Sequence, residues 1–273
     1  MMKNKEAIKE EQAGLGLKVA KEIETLVPYP PGKPIEELER ELGITGSIKL
    51  ASNENPIGPS PKAIEAINGA VGNINRYPDG SCFYLKEKLS EVLGLPKESI
   101  FIGNGSNEVI ELLVRVFANE GEVIFPDPSF AVYPLAVQAV GAVGVAVPLK
   151  PNLKIDLGAM AQKITPKTRL VFIANPNNPT GTYVCEDEFA AFMDEVPDGV
   201  IICMDEAYAE YVRAGDFPET VDYVREGRAI IGLRTFSKIY GLAGLRVGYG
   251  FAPPEIVDYL ERVRQPFNVN TLA

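Results

Sequence analysis

Residues 229–251 read AIIGLRTFSKIYGLAGLRVGYGF. The stretch begins with an apolar segment typical of a buried strand and ends with a second one, Val247 to Phe251. Lys238 follows the first strand, Ser237 directly precedes it, and Arg246 lies further along the loop. Because burial disfavours a charged amine, such a lysine is either a structural ion-pair partner or a nucleophile, and this stretch alone favours the structural interpretation. A hydroxyl and a guanidinium nearby also suit a phosphate group.

The composition is that of an ordinary globular protein, with 273 residues, 46% hydrophobic and 23% charged. This length accommodates one large domain, or one domain with a small partner. A formal net charge of -10 argues against nucleic acid or an anionic membrane as the main partner. Neither a secretory signal nor a run of membrane-spanning length is visible, so we expect a cytoplasmic protein.

The sequence contains no histidine and three cysteines, Cys82, Cys185 and Cys203. The absence of histidine excludes Ser-His-Asp and Cys-His catalysis and HExxH zinc sites. The cysteines lack the spacing of metal ligands, so no metal site is expected, and they fit buried thiols in a reducing compartment. An enzyme of this composition must move protons with Lys, Tyr, Asp, Glu or a cofactor.

Short apolar segments alternate with helical patterns from residue 99 onward. Strands are predicted at 99–102, 122–125, 143–149, 169–174, 200–204, 229–233 and 246–251, and helices near 106–119, 129–140, 186–196 and 254–264. The alternation predicts an α/β fold with a mostly parallel seven-stranded sheet covered by helices on both faces. Earlier helices are predicted over 35–42, 61–69 and 84–93, after a part-helical arm at 1–25.

A glycine-rich turn, Gly103 to Glu108, joins the first predicted strand to a helix. The free N–H groups of the first helical turn, together with the helix dipole, form an anion site. The turn nearly matches the dinucleotide fingerprint G-x-G-x-x-G, but Glu108 occupies the third glycine position. A helix start without any ligand is an equally good interpretation of this motif alone.

Aromatic, amide and acidic residues follow three other predicted strands. Phe130 is either a core residue or a side chain that stacks on a flat ring, and Asn178 lies in an Asn- and Pro-rich turn, where its amide could donate to a phenolate. Asp205 ends an apolar strand, and burying its carboxylate is costly unless it is paired, for example with a pyridinium N–H. Tyr208 could bond the phenolate oxygen of the same ring. A metal site is a weaker interpretation, because Asp205 and Glu206 have no further oxygen ligands at suitable spacing in the sequence.

All these groups follow predicted parallel strands, and ligands bind at the carboxyl ends of strands in open α/β sheets. Jointly they describe a pocket for pyridoxal 5'-phosphate (PLP), held as an imine by Lys238.

The chain resembles the fold-type-I PLP-dependent aminotransferases over nearly its whole length. The family-wide marks are Gly103 to Glu108, Asn175 to Gly181, Asp205 to Tyr208 and Thr235 to Gly248. The N-terminal marks, which favour the histidinol-phosphate branch, are 28–38, 50–61 and 76–78.

This resemblance implies a role for each matching residue. Lys238 would hold the cofactor and, once freed by substrate, act as the general base, while Asp205 would pair with the pyridine nitrogen. Tyr208 and Asn178 would contact the ring oxygen O3', and Phe130 would stack on the ring.

The resemblance also implies a phosphate site and a second subunit. The phosphate would be held by Ser237, Arg246 and the N–H groups of Gly105, Ser106 and Asn107. Tyr77 would reach the phosphate of the other subunit, so a homodimer is expected. Tyr29 and Asn53 would contact the substrate.

The implied reaction is amino transfer between L-histidinol phosphate and 2-oxoglutarate, yielding glutamate, in two half-reactions through pyridoxamine phosphate. Residues 1–48 would form an arm and part of a small domain, and 49–273 the large PLP-binding domain. Family members continue beyond the segment that matches 266–269 with an arginine that binds the substrate. The chain is therefore expected to lack the C-terminal small domain and to bind PLP better than it turns over.

Several alternatives stay open on the sequence. Another enzyme of the same fold, such as an aromatic aminotransferase or a phosphothreonine decarboxylase, would share the PLP residues. A non-catalytic PLP-binding domain is a second alternative. An NAD-dependent oxidoreductase is the third, and it leaves Lys238, Asp205 and Asn178 without a role.

Overall fold

The computed structural model describes residues 17–273, in which seven strands form one sheet. The strands are β1 (Ile100–Gly103), β2 (Glu122–Asp127), β3 (Val143–Pro148), β4 (Thr168–Ala174), β5 (Ile201–Asp205), β6 (Ile230–Thr235) and β7 (Gly248–Phe251). Their order across the sheet is β1-β7-β6-β5-β4-β2-β3. All neighbouring pairs from β6 to β3 are parallel, and β7 is antiparallel to both β6 and β1. The predicted α/β fold and its mostly parallel sheet are confirmed.

Helices cover both faces of this sheet. They are α1 (Lys21–Glu24), α2 (Ile35–Leu42), α3 (Pro61–Ala70), α4 (Phe83–Leu93), α5 (Ser106–Phe117), α6 (Val132–Ala139), α7 (Leu157–Ala161), α8 (Glu186–Glu195), α9 (Thr220–Arg225) and α10 (Pro254–Val263). α7 and α9 were not predicted, because segments of five and six residues are too short to show a helical period. Within the described part of the chain, none of the helices is long and apolar enough to cross a membrane. Residues 1–16 of the predicted arm lie outside the described residues.

The core forms two layers because side chains alternate along each strand. On β4, Leu170 and Phe172 pack in the layer beneath α5, α6 and α10, whereas Val171 and Ile173 pack in the layer beneath α4, α8 and α9. Both faces are therefore apolar, and the strand is a continuous apolar run in the sequence.

The antiparallel strand β7 brings the 236–247 loop to the same edge of the sheet at which it started. Thr235, the last residue of β6, pairs with Gly248, the first residue of β7. Gly248 also pairs with Gly103, the last residue of β1. The loop that carries Lys238 and the glycine-rich turn after β1 therefore lie side by side, next to the carboxyl ends of the parallel strands.

Gly232 in β6 is needed because the ring of Phe251 lies directly against it. The two residues are paired in the sheet, Phe251 is fully buried, and a Cβ at position 232 would overlap its ring. We expect Gly232→Ala to lower the free energy of unfolding by about 1–3 kcal/mol, because an overpacked core has to shift. Urea denaturation measures this change.

The matched control is Gly215→Ala, since a Cβ there meets nothing within 4 Å. It should change the unfolding free energy by less than about 0.5 kcal/mol. Equal destabilisation by the two substitutions would contradict the packing described for Phe251.

Candidate active site

A cavity of about 410 Å³ opens at the carboxyl ends of the parallel strands. The loops after β1, β2, β4, β5 and β6 each contribute to it, as expected for the ligand-binding edge of an open α/β sheet. Its walls include nearly all the residues predicted to hold a cofactor: Ser106, Asn107, Phe130, Asn178, Asp205, Tyr208, Ser237, Lys238 and Arg246. The fold thus brings together side chains that are as far apart in the sequence as Ser106 and Arg246.

Asp205, the last residue of β5, presents a buried carboxylate to this cavity. The Tyr133 hydroxyl donates to Oδ2 at 2.7 Å, and the backbone N–H of Ala207 donates to Oδ1 at 3.2 Å. Burial raises the pKa of Asp205 above its usual 3.8, while these donors and the nearby Lys238 oppose the rise. The hydrogen bonds and Lys238 therefore do not fully offset the cost of burying this charge, and a cationic hydrogen-bond donor in the cavity would stabilise the carboxylate further.

Lys238 lines the same cavity, and its Nζ donates to the backbone carbonyl of Ser52 at 3.1 Å. Burial lowers the pKa of Lys238 below its usual 10.5, and Arg246 lowers it further, although Glu54 and Asp205 act in the opposite direction. The amine is therefore neutral more often than a solvent-exposed lysine, as a nucleophile requires. Since its partner is a carbonyl rather than a carboxylate, the structure favours the nucleophile over the ion-pair interpretation.

The far end of the cavity is suited to an anion. Arg246 Nη1 lies 3.4 Å from Ser237 Oγ, and both side chains line the cavity beside Ser106 and Asn107 at the start of α5. Gly105 has a φ of +79°, and a Cβ there would lie 2.6 Å from Arg246 Nη2. Glycine at this position therefore lets the guanidinium approach the N-terminus of a twelve-residue helix. Guanidinium, hydroxyl and free N–H groups together form an anion site.

The Tyr208 hydroxyl and the Asn178 amide also line the cavity. Asn53 Nδ2 donates to the Tyr208 hydroxyl at 2.8 Å, which leaves the Tyr208 O–H free to donate elsewhere. Burial raises the pKa of Tyr208, so the hydroxyl stays protonated. Asn178 and Tyr208 also line a second cavity of about 360 Å³, which includes Tyr183 and Arg213 and adjoins the first.

Four predicted residues do not line the main cavity. Gly105 directly precedes α5, and its N–H donates to the Gly103 carbonyl at 2.8 Å, while Asn53 lines the adjoining cavity. Tyr77 is largely exposed and stacks on Phe267 with ring centroids 4.8 Å apart. Tyr29 lines a broad groove that also reaches Phe130 and Lys238. Neither placement tests the roles expected for these tyrosines at a subunit interface, so those roles stay predictions.

No role was predicted for Tyr133, which contacts Asp205, or for Ser52, which contacts Lys238. The Ser52 contact is made by a backbone carbonyl, for which side-chain identity gives no signal. Tyr133 does have a weak signal, since its hydroxyl lies in the helix that follows Phe130 and a buried tyrosine hydroxyl requires a partner.

Glu206, on the opposite face of the sheet from Asp205, anchors the site rather than entering it. Its buried carboxylate accepts hydrogen bonds from Arg234 Nε at 2.7 Å and from the Thr220 hydroxyl. Arg234 lies in β6 and Glu206 follows β5, so this ion pair joins the strand ends that carry Lys238 and Asp205.

The sequence matches the family described as "Aminotransferase class I and II" over residues 45–273. The chain belongs to this family. Among its relatives, the histidinol-phosphate aminotransferase of Moorella thermoacetica is 54% identical over 253 residues, which are 92% of this chain and 65% of that protein. Histidinol-phosphate aminotransferase 1 of Nitrosococcus oceani is 52% identical and is covered over 68% of its length. The chain thus spans about two thirds of the length of these two relatives.

Solved aminotransferase structures share the fold. The histidinol-phosphate aminotransferase of Sinorhizobium meliloti, in complex with PLP, superposes with a TM-score of 0.86 and 28% identity over 96% of this chain and 70% of that one. A putative histidinol-phosphate aminotransferase from Erwinia carotovora gives 0.77 and 31%, over 81% of this chain and 65% of its own. The resemblance drawn from the motifs is confirmed, and PLP is the cofactor of the family.

The residues of the cavity fit PLP group by group. Asp205 offers a buried carboxylate to a protonated ring nitrogen, and Lys238 offers an amine of lowered pKa to an aldehyde. Arg246, Ser237 and the start of α5 form an anion site for a phosphate. The chemistry of the donors therefore matches the cofactor at its ring nitrogen, aldehyde and phosphate.

Proposed function

We propose that this chain carries the cofactor-binding part of a histidinol-phosphate aminotransferase, which transfers the amine of L-histidinol phosphate to 2-oxoglutarate. The observation that carries the proposal is the 54% identity to the Moorella thermoacetica enzyme of that name over 92% of this chain. The cavity residues support it, since they match the groups of PLP.

Bound PLP would supply an electron-withdrawing ring that stabilises negative charge on the carbon bearing the transferred amine. Lys238 would hold the cofactor covalently and, after displacement by the substrate amine, move the proton of that carbon as general base. A lowered pKa suits both tasks, because the amine must be neutral to attack and to accept a proton. Asp205 would keep the ring nitrogen protonated.

The remaining residues would orient the ring. The O–H of Tyr208, whose oxygen already accepts from Asn53, would donate to the ring oxygen O3', as would the Asn178 amide. Phe130 would stack on the ring. The phosphate would lie between Arg246, Ser237 and the first N–H groups of α5, where the helix dipole favours negative charge. The adjoining cavity beside Tyr208, lined by Tyr183 and Arg213, would receive part of the substrate.

We propose a second copy of this chain as the protein partner, with Tyr77 reaching the neighbouring phosphate site. Large apolar side chains are strongly exposed along the segment before β1: Ile48, Leu50, Ile57, Tyr77 and Tyr84. An apolar surface of this kind is typical of an interface. In this arrangement residues 49–273 form the large PLP-binding domain, with 1–48 as an arm and part of a small domain. The three free cysteines fit a cytoplasmic setting.

The proposed reaction is tested as a single half-reaction. PLP-loaded protein is mixed with L-histidinol phosphate without a keto acid, and we expect one equivalent of keto product together with the amine form of the cofactor. Adding 2-oxoglutarate should then produce glutamate. Faster conversion of aromatic amino acids would assign the chain to an aromatic aminotransferase instead, and carbon dioxide released from phosphothreonine would assign it to a decarboxylase.

The rate of covalent PLP attachment is expected to depend on the pH in a way set by Lys238. Only the neutral amine attacks the aldehyde, so the rate should rise with pH and level off once the amine is neutral. Because burial lowers the pKa of Lys238 from 10.5, the plateau should be reached below that value. Stopped-flow absorbance after mixing apoprotein with PLP measures the profile. A profile matching that of a free alkylamine would contradict the lowered pKa.

A further inference from the structure

Tyr133 is buried completely beneath the cavity, and nothing in the proposed reaction assigns it a task. It lies in the first turn of α6, and its hydroxyl donates to Asp205 Oδ2 at 2.7 Å. Its ring stacks on Phe172 of β4 with centroids 4.5 Å apart and an interplanar angle of 7°. It meets the Phe130 ring edge-on at 5.6 Å. The hydroxyl is thus held in place by ring contacts on two sides.

We propose that Tyr133 is a positioning residue that keeps the Asp205 carboxylate anionic and aimed at the ring nitrogen of the cofactor. This inference rests on PLP binding as proposed above, but not on the identity of the amine donor. Tyr133 also contacts the ring that would stack on PLP, because its own ring packs against that of Phe130.

The carboxylate of Asp205 has one fixed donor on each oxygen, and the two differ in kind. Oδ1 accepts from the Ala207 backbone N–H, which every residue but proline at that position would supply. Oδ2 accepts from the Tyr133 side chain, the donor that depends on the sequence. With both bonds made, rotation of the carboxylate is restricted, and each oxygen keeps a lone pair for a donor in the cavity that Asp205 lines.

The groups that face Asp205 explain why this donor matters. Lys238 is the nearby cation, Tyr208 lies on the same cavity wall, and Cys203 lies two residues earlier in β5 with a buried thiol. Burial raises the pKa of Asp205, and the Tyr133 hydroxyl is the largest contribution that opposes the rise. Tyr133 itself stays neutral, because burial and the adjacent carboxylate raise its own pKa far above normal.

Loss of this hydroxyl changes where the shared proton lies. A carboxylate with fewer donors is the stronger base, so the proton between Asp205 and the ring nitrogen would move toward oxygen. The ring would then lose positive charge and its power to withdraw electrons. Tyr133→Phe removes the hydroxyl while it keeps the ring and its contacts with Phe172 and Phe130.

The test uses PLP labelled with ¹⁵N in the ring, bound to the chain without any amine donor, and reads the ¹⁵N chemical shift by NMR. In the unaltered protein we expect the shift of a protonated ring nitrogen. In Tyr133→Phe it should move toward that of neutral pyridine, and the dissociation constant for PLP should rise roughly tenfold. Because no substrate is present, failure of the histidinol-phosphate proposal would leave this result unaffected.

The matched control is Tyr223→Phe, which also removes a tyrosine hydroxyl that donates to a carboxylate, that of Glu186 at 2.8 Å, away from the cavity. Its ¹⁵N shift should equal that of the unaltered protein, whatever its effect on thermal stability. An unchanged shift in folded Tyr133→Phe would overturn the proposal. So would a neutral ring nitrogen in the unaltered protein, a result that does not depend on the folding of any variant.

Discussion

Lys238→Ala is expected to abolish the covalent attachment of PLP, because the other side chains that line the cavity include no second primary amine. PLP should still bind reversibly, since the anion site of Arg246 and Ser237 and the Asp205 carboxylate remain. The half-reaction with L-histidinol phosphate should slow by at least roughly 10²–10⁴-fold, the contribution of a positioned general base. Absorbance of the lysine-linked cofactor and single-turnover rates measure the two effects.

Lys154→Ala is the control for this substitution. Lys154 also donates to a neighbouring group, the Glu188 carboxylate at 2.9 Å, but it lies away from the cavity. The control variant should retain the cofactor band and the half-reaction rate of the unaltered protein. A Lys238→Ala protein that kept a lysine-linked cofactor would show that another amine carries the chemistry.

Asp205→Asn is expected to weaken PLP binding by about 10²–10³-fold, because it removes the anion that pairs with a protonated ring nitrogen in a buried site. The amide has almost the same shape, and the Tyr133 hydroxyl can remain within hydrogen-bond distance of it. The loss would therefore reflect charge rather than packing. Equilibrium titration of the apoprotein with PLP measures it.

The same substitution should have the opposite effect on the stability of the apoprotein. The folded pKa of Asp205 is raised above its unfolded value of 3.8, so its contribution to stability is present below that pH and is lost as the pH rises through the folded pKa. The amide that replaces the carboxyl group does not titrate in this range. Asp205→Asn should therefore remove this loss of stability at neutral pH, as thermal unfolding across a pH series would show.

The control for both effects is Asp222→Asn, an exposed carboxylate that pairs with Arg225 at 2.7 Å. Surface pairs contribute about 0–1 kcal/mol to stability, so the unfolding of this variant should change little. Its PLP affinity should stay unchanged, because Asp222 does not line the cavity. If Asp205→Asn bound PLP as tightly as the unaltered protein, Asp205 would not be the partner of the ring nitrogen.

The sequence was sufficient to predict the sheet and most of the cavity, because parallel strands buried on both faces are continuous apolar runs. Once those runs were placed, the residues that follow them had to meet at one edge, which brought Asn178, Asp205 and Lys238 together. The antiparallel direction of β7 could not be predicted, since the apolar pattern of a strand does not encode its direction. It is the antiparallel return of β7 that places Arg246 beside the turn after β1.

Other contacts had little or no signal in the sequence. The Ser52 carbonyl reaches Lys238 from a segment 186 residues away in the chain, through a backbone atom that any residue has. Tyr133 has only a weak signal in the sequence, a tyrosine in the helix after Phe130, and a core aromatic residue would give the same pattern. Its role depends on the hydrogen bond to a carboxylate 72 residues later, which becomes visible only in three dimensions.

The lysine that binds the cofactor can be identified directly by chemical trapping. The protein is incubated with PLP, the lysine linkage is fixed with borohydride, and the digested peptides are analysed by mass spectrometry. We predict one modified peptide, with the added mass on Lys238. Modification of a different lysine, or no modification of a chain shown to be folded, would contradict the assignment of this cavity as the PLP site.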